Sequence, residues 1–173
     1  MARNKLKDWL KGGDRRSIGR ANEVAAMVLR EPRRFPELIE FLWSDDPIVR
    51  MCAADAAEKI SVQKPGLLAP FKAELMGLLF EAEPQELRWH LALMIPRLTL
   101  TKKERQRAAE GLRRYLEDRS SIVKTFALQG LTELAAVERS LLPEVREILG
   151  AAERAGTPAM RARARKLLKT LAQ

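Results

Sequence analysis

The residues able to do chemistry in this 173-residue chain are few: one histidine, His90, and one cysteine, Cys52. His90 stands three residues after the first apolar position of an amphipathic helical pattern, where the equivalent phrases carry Cys52 and Phe126. A position on that face predicts a hydrogen-bonded core histidine ahead of a base. One His and one Cys assemble no metal set at any usual spacing. Gly12 and Gly13 precede a charged stretch and follow no strand, so they make no phosphate cradle. Ser44, Ser120 and Ser121 read as turn and cap residues with no histidine beside them in sequence to activate a hydroxyl. The carboxylate pair Asp45 and Asp46 is accounted for by helix capping. The chain therefore reads as non-enzymatic, with no catalytic residue, no metal site and no cofactor.

The remaining candidates are cations. A basic residue follows the first apolar position of each of four similar phrases: Arg50, Arg88, Lys124 and Arg161. Equivalent positions in a stack line up one rung per repeat, and a ladder of cations is able to track a phosphate backbone. The structural alternative weighs more: each base bonds the turn carbonyls or acids of an adjacent unit, with Asp45, Asp46, Glu83 and Asp118 as candidates. Trp89 adjoins the ladder, where an aromatic stacks on a base or anchors a partner. Arg165 belongs to the run RARARK, in which Arg163 takes a position that is apolar in earlier phrases. That suits a last helix with no further repeat to pack against. The candidate binding set is thus Arg50, Arg88, Trp89, Lys124, Arg161 and Arg165.

Net charge is +9, and the excess sits at both ends. Residues 1–34 hold ten basic and four acidic side chains, residues 153–173 six and one, and the stretch between sixteen and eighteen. Capture of a polyanion is one reading of such ends. The blander one is that terminal repeats need polar outer faces for solubility.

The elements that must position these residues announce themselves by a period. DDPIVRMCAADAAEKI, EPQELRWHLALMIPRL, RSSIVKTFALQGLTEL and GTPAMRARARKLLKTL open at Asp46, Glu83, Ser120 and Thr157, a constant step of 37 residues. A fixed step of this size marks a stacked repeat array. Asp46, Ser120 and Thr157 are N-caps, Pro47 and Pro158 suit the first helical position, and Glu83 with Pro84 is a weaker version of the device. Apolar residues recur at helical spacing, as in Val49, Cys52, Ala53, Ala56, Ala57 and Ile60. Partner helices are predicted in the segments starting at Pro36, Gly66, Thr101 and Leu141, with Pro70 near a helix start. Upstream, Ile18, Ala21, Ala25 and Val28 share a helical face, and Leu6, Trp9 and Leu10 share another beyond a break at Gly12, Gly13 and Asp14.

A second helix opening Asp46, Pro47, Val49, Arg50 and continuing with small and aliphatic residues resembles the HEAT repeat. The likeness covers roughly residues 35–173, with Arg88, Lys124 and Arg161 retaining the base and Pro84 and Pro158 the proline. It implies an all-α, right-handed α-α superhelix: a HEAT-like solenoid of about four helix pairs over 35–173, capped by a basic helical segment over 1–34, forming a single elongated domain. Members of the family are mostly scaffolds, so the resemblance implies an adaptor holding a protein partner along the second-helix face. Nucleic acid bound by the basic residues is the alternative. A third is a HEAT-like alkylpurine DNA glycosylase, for which Trp43, Trp89 and Tyr115 are the available aromatics and Asp45, Asp46 and Asp118 the acids. No run of 18 apolar residues spans a membrane, the first residues lack a signal's apolar core, and a lone cysteine suits a reducing compartment; cytoplasm is expected.

Overall fold

A computed structural model describes residues 2–11 and 20–172, with the side chains of 2–5 left aside. The predicted break at Gly12, Gly13 and Asp14, and the apolar position Ile18, lie outside the described residues. Among those described there are ten α-helices and no strand. None of the helices is long and apolar enough to cross a membrane. Two compact units divide the chain, Met1–Lys72 and Ala73–Gln173.

In the first unit α1 (Ala2–Leu10) and α2 (Ala21–Arg30) precede a short α3 (Phe35–Glu40), which is flanked by 3-10 turns at Pro32–Arg34 and Phe41–Trp43. The long α4 (Pro47–Gln63) follows. It starts where the sequence says: Asp46 accepts the N–H groups of Ile48 at 2.9 Å and Val49 at 3.3 Å, and Pro47 leads the helix. Two donors of the first turn, which have no partner inside the helix, are satisfied in this way. Helices α1, α2 and α3 all pack on α4. Its small residues Ala53, Ala56 and Ala57 are completely buried, which lets neighbouring backbones come close, and Val49 and Ile60 fill the space beside them. Ala21, Ala25 and Val28 are buried as their spacing predicts. Phe35 meets Phe71 edge-on, with ring centroids 6.0 Å apart.

A 3-10 segment, Pro65–Phe71, contains Pro70. Because a proline ring supplies no N–H and crowds the preceding turn, the α-helix begins only beyond it, with α5 (Lys72–Glu81). Next come α6 (Gln85–Met94), closed by a 3-10 turn at Ile95–Arg97, then α7 (Lys102–Tyr115), α8 (Ser121–Val137), α9 (Leu142–Ala155) and α10 (Pro158–Leu171). Helix α8 is the hub of the second unit, packing on α6, α7, α9 and α10, while α9 also packs on α10. Ser120 and Thr157 cap α8 and α10 through the N–H groups of Val123 and Met160. The second phrase differs. Its N-cap is Pro84, one residue later than Glu83, and no side chain closes it. A glutamate is a poor cap because its longer arm must freeze an extra torsion to reach back.

Candidate functional site

The cations split into those held by the fold and those left to solvent. Arg50, one turn into α4, donates from Nη1 to the Ser44 carbonyl at 2.7 Å, in the turn that starts its own helix. Arg88, one turn into α6, does the same with Nε to the Ala82 carbonyl at 2.6 Å. Its Nη1 donates to Asp118 Oδ2, also at 2.6 Å, in the turn that starts α8. One guanidinium thus clamps two successive turns, an arrangement available to Arg and not to Lys because the planar fork presents several donors at once. Asp118 also accepts the Ser120 N–H at 2.7 Å, holding the residue that caps α8.

Burial pushes the Asp118 carboxyl up. The Ser120 N–H, the Arg88 hydrogen bond and the charges of Arg88 and Lys124 together outweigh it, so the group sits below the usual carboxylate range. Lys124 therefore belongs with Arg88 and Asp118, in a partly buried position. Trp89 is partly exposed and lies against His90, ring centroids 5.5 Å apart. His90 itself is buried, as its place on the apolar face predicts.

A clamp that the ladder did not include occurs on a first helix. Arg105 in α7 donates from Nη1 to the Leu100 carbonyl and from Nη2 to Glu138 Oε2 at 3.3 Å. Glu138 also accepts the Ser140 hydroxyl at 2.7 Å; that bond, with Arg105 and the charge of Lys102, holds its carboxyl below the ordinary value despite burial. The signal was in the sequence: Arg105 stands four residues after the cap Thr101, as Arg50 does after Asp46 and Arg88 after Pro84.

The α10 cations behave otherwise. Arg163 turns back onto α8, its Nη1 donating to Gln129 Oε1 at 3.0 Å and its guanidinium 5.6 Å from the Phe126 ring. Arg163 thus packs on the preceding helix from a register position that is apolar in the earlier phrases. Arg161, Arg165, Lys166 and Lys169 are exposed. Arg161 and Arg165 share one side of α10; of the ladder residues in the second unit Arg161 is exposed, while Arg88 and Lys124 are partly buried. Arg50 belongs to the first unit.

Three of the residues available for base excision are engaged in the fold, whereas Asp45 is exposed and Trp89 partly so. Tyr115 is buried and donates its hydroxyl to the Leu79 carbonyl at 2.8 Å, Asp118 is held by Arg88, and Asp46 caps α4. Trp43 is exposed because the 3-10 turn at Phe41–Trp43 directs Leu42 inward instead. Among the described residues no group of three or more His, Cys, Asp or Glu is placed to hold a metal. No protein-family model matches this chain, and no curated protein matches it.

The Tyr115 bond joins α7 to α5, and its removal is a clean test of that seam. Tyr115→Phe keeps the ring and is expected to lower stability by about 1–2 kcal/mol in urea unfolding, since a buried carbonyl loses its donor. Burial raises the phenol above its ordinary value near 10. The sign follows. The unfolded phenol ionises first, so the folded state keeps its full advantage below about pH 10 and loses it above; the Phe variant lacks that alkaline decline.

Proposed function

We propose that this chain is a HEAT-like α-solenoid of about four helix pairs with an N-terminal helical cap, acting as a non-enzymatic scaffold that binds a protein partner along its second helices. The observation that carries the partner class is the fate of the ladder. A phosphate track needs unspent cations rung after rung. Arg50 is spent on the Ser44 carbonyl, and Arg88 on the Ala82 carbonyl and Asp118. What remains on the second helices is mixed: Trp89 partly exposed, Ile122 exposed, Lys124 partly buried, and fully exposed cations on α10. A mixed apolar and charged strip suits a protein surface. The solenoid reading is supported by the 37-residue step and by arginines that tie one repeat's turn to the next. The non-enzymatic reading is supported by Tyr115, Asp118 and Asp46 all being committed to the fold.

The test is site-resolved photo-crosslinking in the source cells. A photoreactive residue at Ile122 or Arg165, on second helices, is expected to give discrete heavier adducts. The same residue at Glu110 or Glu147, exposed on first helices, is expected to give none. Adducts confined to the first-helix positions, or to nucleic acid, would refute the reading.

A further inference from the structure

We propose that the outward face of α10 docks an acidic amphipathic helix of a protein partner, seated where a following second helix would lie. This deepens, and rests on, the interaction-module reading above.

The argument is one of register. In α8, Ser121, Thr125, Leu128 and Thr132 fall at i, i+4, i+7 and i+11, a single stripe on a helix. Ser121 Oγ lies 2.6 Å from Thr157 Oγ1, which turns this stripe toward the start of α10. Thr125, Leu128 and Thr132 are only 8%, 1% and 4% exposed. Both threonine hydroxyls donate within α8, to the Ser121 and Leu128 carbonyls, so the stripe offers its neighbour mainly methyl groups. It is the face by which one second helix receives the next.

Thirty-seven residues on, the same register in α10 reads Pro158, Ala162, Arg165 and Lys169, and all four are exposed. Where α8 has Leu128 and Thr132, α10 has two cations. Arg161 and Lys166 flank them, and the helix contains no Asp or Glu. None of these four cations forms an ion pair with a described residue, although Arg113, Arg114 and Lys59 elsewhere are matched with Glu144, Glu110 and Asp55. Arg161, Arg165 and Lys169 stand at successive i, i+4 spacing, where like charges repel. A face shaped to take a helix, and charged against itself, calls for carboxylates.

A helix supplies them at matching intervals. One turn rises about 5–6 Å on either partner, so Glu side chains spaced three or four residues apart come within reach of Arg161, Arg165 and Lys169 in turn. Pro158 and Ala162 are short and in line with Arg165, which permits axes to approach to about 8–10 Å. A duplex is the poorer fit: α10 is about 21 Å long, and its convex stripe reaches few phosphates while Pro158 and Ala162 contribute nothing to a phosphate.

Fluorescence anisotropy of the full chain tests this with three labelled probes. One is an Ala-rich helical peptide with Glu at i, i+4, i+7 and i+11; the second carries Gln at those positions; the third is a short DNA duplex. The acidic peptide is expected to bind at least about tenfold more tightly than the Gln peptide at about 50 mM salt, and to weaken as salt rises. Arg165→Glu combined with Lys169→Glu should cost at least about tenfold, whereas Lys103→Glu, exposed on α7, should leave binding unchanged. Circular dichroism melts check that the exposed charge reversals leave the fold intact. The inference is overturned if the Glu and Gln peptides bind alike or not at all, if the double reversal has no effect, or if the duplex outcompetes the acidic peptide for this face. Those failures are separable from failure of the module reading, because crosslinking at Ile122 reports a partner whether or not α10 contacts it.

Discussion

Gly130→Ala is expected to lower the stability of the second unit by about 2 kcal/mol, whereas Gly77→Ala raises it by about 0.5–1 kcal/mol. Both glycines are interior to helices, α8 and α5, so intrinsic propensity favours alanine at each by about 1 kcal/mol. Surroundings decide the sign. A Cβ at Gly77 meets nothing within 4 Å. At Gly130 it falls 2.4 Å from the Ala92 carbonyl oxygen and 2.9 Å from Leu112 Cδ1. The first neighbour is backbone of α6 and cannot rotate aside, so the helices must separate and the contact that makes α8 the hub is loosened. Urea unfolding of the two variants beside the parent chain measures the difference. A Gly130→Ala protein as stable as the parent would mean that α8 is not seated against Ala92.

The Arg88 clamp carries the second large effect. Arg88→Ala and Asp118→Ala are each expected to cost about 2–3 kcal/mol, because the partner left behind is a partly buried charge without its counterpart. The double variant should lose at least about 1 kcal/mol less than the two singles combined, since the pair interaction is removed only once. Strict additivity would show that the two residues act independently. Acid adds a signature. With the folded carboxyl of Asp118 below its ordinary value, its contribution is fully present above the unfolded value near 4 and is lost as pH falls through the lower, folded one. Asp118→Asn should therefore be less stable at neutral pH and show a shallower acid decline than the parent.

These two sites also show what the sequence makes legible. Helix starts at Asp46, Ser120 and Thr157 follow from short polar side chains whose oxygens reach the second or third N–H, and all three do so. Glu83 was one residue off because proline at 84 already fixes the backbone for a helix start and needs no side-chain cap. Burial along α4, α6 and α8 follows from periodicity: Val49, Leu87 and Val123 lie inside with His90 among them. Arg88 was legible as a residue that bonds an acid in the next turn, with Asp118 among the named candidates. Arg105 lies on a first helix and so outside a pattern defined by second helices, although its distance from the Thr101 cap is the same. That the missing Cβ of Gly130 lets α6 approach was not legible, because closeness of two backbones leaves no mark in a hydropathy pattern. Nor does a one-dimensional pattern say whether Arg163 folds back over Phe126 or points away, since both rotamers place the same residue on the same side.

Leu6 and Leu10 of α1 are wholly enclosed against α2 and α4, while Lys7, Asp8 and Lys11 face water. Arg20, at the threshold of α2, spreads its guanidinium 4.0 Å above the Trp9 ring, pinning the short helix down. The segment works as a lid over greasy flanks that would otherwise stick to other molecules, so trimming it for the sake of a tidier fragment invites clumping, and a purification handle there belongs on a spacer that keeps the two leucines in their sockets.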